Sequence, residues 1–268
     1  MSVEGERQDE AARAFVGSHP GFFVGATQDE ALARLAYLAD AGLRCGLVTG
    51  RTGTGKSTVL RRFADERRGN GCSVVLIDVT GIGEADLLRG LIKGLGITVH
   101  ARFRRDALWL ELIDGLRGRE LAQQSCLLIF DHFDRALPEA HQVVRRLLAE
   151  QAGAYAATFI LAFSGSSFPI VAREWRQTAD LRIELSPLTA DETTLFLRDS
   201  LEALGLPHDA FDPDAARMVF LSTGGVPKDI ARVFERALLA AQHDDRRQVS
   251  SDIVAAALDE LSLLRPPA

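Results

Sequence analysis

The chain has 268 residues, 47% of them hydrophobic, and a formal net charge of −6 at pH 7. This length and apolar content predict a folded protein with a substantial core, in one large or two modest domains. The acidic balance excludes a general electrostatic attraction to nucleic acid or to an anionic membrane. No apolar run approaches the length of a membrane span and no secretion signal is visible, so we expect a cytoplasmic protein without a membrane partner.

The beginning of the chain has no strong apolar pattern. Residues 1–21 are charged and rich in small side chains, which predicts a flexible lead-in. The following turn carries Phe22 and Phe23, which either pack into the core or line an adenine pocket. A helix is then expected over residues 27–41, with Thr27 as its N-cap.

A glycine-rich loop connects an apolar strand, Cys45–Thr49, to a helical pattern. The loop has the spacing G-x-x-x-x-G-K-[ST] and comprises Gly50, Arg51, Thr52, Gly53, Thr54, Gly55, Lys56, Ser57 and Thr58. Such a loop surrounds a triphosphate with backbone N–H groups and with the positive end of the following helix. We expect Lys56 to reach the β- and γ-phosphates and the Ser57 hydroxyl to bind Mg²⁺.

Further strands and helices alternate along the chain after this loop. The apolar run Ser73–Asp78 predicts a buried strand that ends in an acid, and residues 84–95 predict a helix. The β-α-β-α alternation predicts a parallel sheet with helices on both faces. A local basic cluster at Arg102, Arg104 and Arg105 is either a solvated surface or a contact to DNA phosphates.

A second chemical pattern is the apolar run before Asp131. An acid at the carboxyl end of a strand next to that of the loop completes the Mg²⁺ site that Ser57 begins. Hydrolases that combine such a loop with such a strand acid usually have a glutamate after the acid, which orients the attacking water. The chain has His132 at this position, and histidine is not an anionic base. Asp134 is either the substitute carboxylate or a helix N-cap. We therefore predict tight binding of a magnesium–triphosphate complex with slow hydrolysis.

The strand pattern continues to a clear boundary. Thr158–Ser164 predicts a buried strand that ends in several hydroxyl residues, among them Ser164. A polar side chain at this end is placed to touch the γ-phosphate or its water. Leu181–Leu185 alternates and predicts a fifth strand. Only helical patterns follow. We expect a nucleotide-binding core over residues 22–188 and a C-terminal helical lid over residues 189–268.

The whole pattern resembles the AAA+ superfamily, most closely its ExeA-type branch, which is related to the TniB, TnsC and MuB transposition ATPases. Besides the loop and the strand acid, the resemblance rests on five segments: Gln28–Leu35, Asp86–Leu88, Leu95–Gly96, Leu185–Thr193 and Thr223–Lys228. It implies an α/β fold, in which a three-layer αβα P-loop NTPase core with a parallel sheet precedes an all-α lid. It also implies ATP as the nucleotide and ATP-dependent assembly into rings or filaments.

The resemblance assigns roles to individual residues. It implies that Gly50–Thr58 is the Walker A motif and that Asp131 is the Walker B metal ligand. Ser164 lies at the sensor-1 position, and Lys228 lies at the sensor-2 position, where arginine is usual. The usual position of an arginine finger that acts in trans is not basic here, and Arg176 ranks first among the nearby substitutes.

Three functions follow from this resemblance. The first is an ATPase that remodels or regulates a partner complex through nucleotide-dependent homo-oligomerisation. The second is an ATP-bound scaffold with little turnover. The third is a DNA-binding regulator of the transposition type, which the sequence pI of about 5.6 disfavours. All three use ATP and Mg²⁺, and the sequence does not name the protein partner.

Overall fold

The computed structural model of the chain describes residues 25–98, 105–151, 155–165, 174–244 and 246–263. Some of the sequence-based predictions fall elsewhere. The lead-in over residues 1–21, the aromatic pair Phe22 and Phe23, the residues Arg102 and Arg104, and the side chain of Arg105 lie outside the described part of the chain.

Helices and strands alternate in the first part of the described chain, and helices alone follow. In chain order they are α1 Ala26–Asp40, β1 Cys45–Gly50, α2 Lys56–Gly69, β2 Ser73–Asp78, α3 Glu84–Gly94, α4 Arg105–Leu121, β3 Cys126–Asp131, α5 Pro138–Glu150, β4 Thr158–Ser164, β5 Leu181–Leu185, α6 Ala190–Ala203, α7 Pro213–Thr223, α8 Pro227–His243 and α9 Ser251–Leu263. A 3₁₀ turn, Phe133–Arg135, follows β3, and residues 174–178 are also helical. Among the described helices, none has both the length and the apolar character needed to cross a bilayer.

The five strands form one parallel sheet in the order β2-β3-β4-β1-β5, which confirms the predicted parallel sheet. The expectation that the strand of Asp131 lies next to the strand of the phosphate loop is wrong, because β4 lies between β3 and β1. Strands that are consecutive in sequence are usually neighbours, but β2 lies between β1 and β3 in the chain, so that rule does not make β1 and β3 neighbours. At the carboxyl edge, Gly50 is opposite Ser164, and Asp131 is opposite Asp78.

Helices cover both faces of the sheet, as the β-α-β-α alternation predicts. Alternate strand residues, among them Leu47, Leu128 and Phe159, pack with α3, α4 and α5 into one core. On the opposite face, Gly46 allows α1 to approach β1 closely, because a Cβ atom there would lie 2.5 Å from a methyl carbon of Leu38. The buried side chains of α2 do not belong to the core around α3 to α5. The sheet is therefore the middle layer of three.

The described chain divides into two compact units. The first is Gln28–Leu185, which contains the sheet, and the second comprises Ser186–Ala268 together with the residues up to Thr27. The core of the second unit lies among α6, α7, α8 and α9, where the rings of Phe211 and Phe234 stack with centroids 5.3 Å apart. In the residues that the structure describes, the regular elements of this unit are all helices, and one isolated β-bridge joins Phe211 and Val249.

The start of α1 differs from its predicted form. Thr27 is not the N-cap, because α1 begins at Ala26 and Thr27 lies in its first turn. The Ala26 N–H instead donates to Glu192 Oε1 at 2.8 Å. Glu192 and Thr189 also form the capping box of α6. Burial raises the pKa of Glu192, but hydrogen bonds from the Thr189 and Ala26 backbone outweigh that effect and the pKa lies below its usual value.

Candidate functional site

The loop between β1 and α2 depends on glycines with positive φ angles. φ is 152° at Gly50, 91° at Gly53 and 96° at Gly55, and residues with a Cβ atom rarely adopt such values. Gly50 also lacks room for a side chain, since a Cβ atom would lie 2.5 Å from the backbone oxygen of Leu185. Because α2 begins at Lys56, the first N–H groups of that helix border the loop, as an anion site requires.

Lys56 is buried at the start of α2, with 7% of its surface exposed. Its Nζ atom donates to the backbone oxygens of Gly50, at 2.8 Å, and Arg51, at 2.9 Å. Burial lowers the pKa of Lys56, while the carboxylates of Asp131 and Asp134 act in the opposite direction. A phosphate offers this ammonium an anionic partner, which makes a stronger hydrogen bond than a neutral carbonyl does.

The other loop residues differ in their exposure. Ser57 is half-buried, and Arg51, Thr52 and Thr58 are exposed, whereas Thr54 is fully buried. The Thr54 hydroxyl donates to the backbone oxygen of Arg51 at 2.9 Å and closes the turn. Their contacts to a nucleotide remain predictions.

The residues present fit a magnesium ion that arrives with a nucleotide. Asp131 is 6% exposed, and its Oδ1 atom accepts a hydrogen bond from the His132 N–H at 2.9 Å. Within the described ranges, no group of three or more His, Cys, Asp or Glu side chains forms a metal site by itself. Mg²⁺ commonly takes one or two protein ligands and completes its octahedron with phosphate oxygens and water. Ser57 and Asp131 provide ligands of that kind.

The turn after β3 is held by an aromatic anchor. Phe133 is fully buried, and its ring centroid lies 5.6 Å from that of Phe163 and 5.1 Å from that of Trp175. His132, just before it, has φ 53° and ψ 39°, a left-handed conformation that is uncommon for a residue with a Cβ atom. The anchored turn fixes the directions of the two polar side chains on either side of Phe133.

His132 is directed toward β2. Its Nδ1 atom lies 3.2 Å from Asp78 Oδ2 without the alignment of a hydrogen bond. Asp78 Oδ1 accepts from the Thr80 N–H and hydroxyl at 3.0 and 2.7 Å. Burial raises the pKa of Asp78, but the Thr80 hydrogen bonds and the neighbouring His132 outweigh it, so the pKa lies below its usual value. Since β3 and β4 separate β2 from β1, His132 is directed away from the phosphate loop.

Asp134 is directed toward β4. Its Oδ1 atom accepts a hydrogen bond from the Ser164 N–H at 3.0 Å, and Ser164, 3% exposed, pairs with Gly50 of the loop strand. Among the described residues, Asp134 Oδ2 is buried and has no hydrogen-bond partner. The alternative in which Asp134 caps the next helix is wrong, because Leu137 occupies the N-cap position of α5. Asp134 therefore lies on the loop side of β3.

Two cations with predicted roles are exposed: Arg176, the candidate arginine finger, and Lys228, at the sensor-2 position. Arg176 lies in the helical stretch 174–178, and its backbone oxygen accepts a hydrogen bond from Arg182 at 2.7 Å. Lys228 is the second residue of α8 in the helical unit. Before it, Gly225 has no room for a side chain, because a Cβ atom would lie 1.9 Å from the Leu188 backbone oxygen. The roles of Arg176 and Lys228 remain predictions.

The sequence predicts no role for Asp78 or Gln28. It identifies Asp78 only as the acid that ends a strand. Gln28 belongs to the family-like segment Gln28–Leu35, lies on the apolar stripe of α1 and is 4% exposed. A polar residue at an apolar helical position was the available signal for Gln28.

Comparisons of sequence relate the chain to known proteins. A family model described as an AAA domain matches residues 40–171. General secretion pathway protein A of Aeromonas hydrophila is 25% identical over 245 residues, in an alignment that covers 86% of this chain and 43% of that protein. The chain thus spans less than half the length of this curated relative.

Solved structures share the fold. Cdc6p from Pyrobaculum aerophilum has a TM-score of 0.73 and 20% identity, and the match covers 94% of this chain and 70% of that one. The Aeropyrum pernix ORC1 protein in complex with DNA has a TM-score of 0.64 and 18% identity, with coverages of 93% and 69%. The Thermotoga maritima RuvB Holliday junction branch migration motor has a TM-score of 0.61 and 16% identity, with coverages of 89% and 70%. Together with the phosphate loop, the family model and the curated relative support an AAA+ P-loop ATPase of the ExeA type, and the solved structures show the same fold.

Proposed function

We propose that this chain binds Mg-ATP, hydrolyses it slowly, and uses nucleotide-dependent homo-oligomerisation to remodel or regulate a partner protein complex. The observation that carries the proposal is the arrangement at the carboxyl edge of the sheet. There the carboxylates of Asp131 and Asp134 interact electrostatically with the buried Lys56 ammonium of the loop. Asp134 also accepts a hydrogen bond from Ser164 at the end of β4. This is a site for an anion, a cation and a positioned water.

Binding is assigned to the loop and the two metal ligands. Loop N–H groups and Lys56 hold the phosphates, and Ser57 and Asp131 hold Mg²⁺, which neutralises charge on the phosphate oxygens when it is bound. Lys228 offers the γ-phosphate a single ammonium rather than the fork of an arginine. Arg176 would act on the nucleotide of a neighbouring subunit.

We attribute slow hydrolysis to His132 and Asp134, the two residues that flank Phe133. His132 is directed toward Asp78 and does not take the place of the usual glutamate. Asp134 is the carboxylate on the loop side, and its unpartnered Oδ2 atom is available to accept a proton or a hydrogen bond from the attacking water. Its other oxygen is already engaged by Ser164. We therefore assign the water-positioning role to Asp134.

Two alternatives use the same site. An ATP-bound scaffold would need binding with almost no turnover, and the direction of His132 favours it. A DNA-binding regulator is supported by the fold shared with the ORC1 protein that was solved in complex with DNA, while the net charge of −6 opposes it. We also propose that the chain acts in the cytoplasm without inserting into a membrane.

The oligomer is tested by measuring particle mass in the presence of Mg²⁺ and a non-hydrolysable ATP analogue. We expect rings or filaments with the analogue and monomers without nucleotide, and the Lys56→Ala variant is expected to remain monomeric in both conditions. Monomers of wild-type protein at saturating analogue would contradict the oligomer. Assembly that requires duplex DNA in addition would favour the DNA-binding regulator.

A further inference from the structure

A buried polar group in the sheet-containing unit has no function in the site described above. Gln28 is 4% exposed, and its Oε1 atom is buried without a hydrogen-bond partner among the described residues. The other buried residues of α1, Ala31, Leu35 and Leu38, are apolar. An unpaired buried acceptor is unfavourable, so a ligand with a hydrogen-bond donor would be bound preferentially at this position.

The height of Gln28 along the sheet follows from two contacts of α1. Leu38 packs against Gly46 near the start of β1. From there, about 15 Å of helix leads back to Gln28, and about 13 Å of strand leads forward to Gly50. Arg34, about one turn before Leu38, contacts Arg182, which is opposite Leu47, so α1 and β1 run in opposite directions. Gln28 therefore lies level with the beginning of the phosphate loop.

A second contact gives the position across the sheet. The Arg34 side chain donates to the Arg182 backbone oxygen at 3.3 Å, which places α1 beside β5. About 9 Å of helix separates Arg34 from Gln28, and about 10 Å of strand separates Arg182 from Leu185, the residue opposite Gly50. The Gln28 side chain is thus buried at the carboxyl edge, on the β5 side of the loop.

The direction of a bound nucleotide follows from the positions of the metal ligands. Asp131 ends β3, and β3 and β5 lie on opposite sides of β1 in the sheet order. Asp131 would hold the Mg²⁺ that neutralises the terminal phosphates when it is bound, so the γ-phosphate end is expected toward β3. The ribose and the base then extend from the loop toward β5, which is the side where Gln28 is buried.

We infer that Gln28 recognises the adenine base through its side-chain amide, with Oε1 accepting a hydrogen bond from the 6-amino group. This inference rests on the proposed binding of Mg-ATP. An amide offers one acceptor and two donors, and adenine presents a donor at its 6-amino group next to ring-nitrogen acceptors. Guanine has an acceptor oxygen at the same position, so its binding would require the amide to turn and to donate through Nε2. The 6-amino group of adenine is thus the group that Gln28 Oε1 recognises.

The test is a calorimetric titration of the full chain with Mg²⁺ and two nucleotides, ATP and purine riboside 5′-triphosphate, which lacks only the 6-amino group. Wild-type protein is expected to bind ATP about tenfold more tightly than the analogue, as for one good hydrogen bond. In Gln28→Met, which keeps the side-chain length, the two nucleotides are expected to bind equally. If the role of Gln28 were purely structural, Gln28→Met would instead weaken the binding of both nucleotides by the same factor.

Two further variants serve as controls for the preference for ATP over the analogue. Gln124→Met replaces an exposed glutamine before β3 and must leave the tenfold preference unchanged. Gln28→Ala, a smaller replacement that serves if the methionine variant does not fold, must abolish the same preference. A preference that persists in these Gln28 variants, or equal binding by wild-type protein, overturns the inference and leaves Mg-ATP binding intact. Failure of wild-type protein to bind either nucleotide overturns the proposed function as well.

Discussion

Replacing Lys56 with alanine is expected to weaken Mg-ATP binding by about a hundredfold or more. The ammonium would lose charge-assisted hydrogen bonds to the phosphates, each worth roughly 1.5–3 kcal/mol, and tenfold in affinity corresponds to about 1.4 kcal/mol. The measurement is a titration with a fluorescent ATP analogue, read at equilibrium. The effect is large because Lys56 is nearly fully buried, with 7% exposure.

The Lys56→Ala fold is expected to survive. The Gly50 oxygen also accepts from the Gly165 N–H at 3.0 Å, and the Arg51 oxygen accepts from Thr54, so neither carbonyl is left without a partner. Lys93, exposed in the last turn of α3, provides the matched control, and Lys93→Ala must bind like wild type. Nearly unchanged affinity in Lys56→Ala would show that the loop does not hold the phosphates.

The second large effect is expected for Asp134→Asn, which keeps an acceptor for the Ser164 N–H but removes the negative charge. We expect kcat for ATP hydrolysis to fall on the order of a hundredfold, the lower range for loss of a general base. Affinity for ATP is expected to stay within about threefold, because Asp134 is not assigned a phosphate or metal contact. Single-turnover hydrolysis of labelled ATP measures the chemical step separately from binding.

The control for Asp134→Asn is His132→Ala, which changes the residue on the other side of Phe133. Because His132 is directed toward Asp78 and away from the loop, its removal is expected to change kcat by less than about threefold. The opposite ranking, a large loss in His132→Ala and little change in Asp134→Asn, would assign the water to the histidine and refute the role given to Asp134.

The sequence predicts most of the fold because its local patterns have direct physical causes. β2 and β4 could be predicted because their lengths and apolar content fit buried strands, and β5 because apolar and charged residues alternate along it. The loop glycines could be predicted because the spacing requires positive φ angles. The order of the strands could not be predicted from these patterns, since it depends on how crossover helices pack. That is why Asp131 was expected beside the loop strand, whereas Ser164 occupies that place.

The candidate site was less predictable than the fold. His132 and Asp134 were both recognised as unusual, but which of them faces the loop depends on the burial of Phe133, a tertiary contact. The capping box of α6 at Thr189 and Glu192 is a local T-x-x-E pattern that the sequence contains. At α1, by contrast, the Ala26 N–H donates to the distant Glu192, a contact that the local pattern around Thr27 does not indicate.

Slow turnover of tightly bound ATP is the central claim, and steady-state phosphate release tests it most directly. Wild-type protein is expected to turn over far more slowly than about 10 s⁻¹, the median for enzymes. His132→Glu is expected to raise the rate by about tenfold or more, because the Asp78 carboxylate would repel the new glutamate toward the loop. Wild-type turnover of tens per second that does not respond to Asp134→Asn would contradict the account.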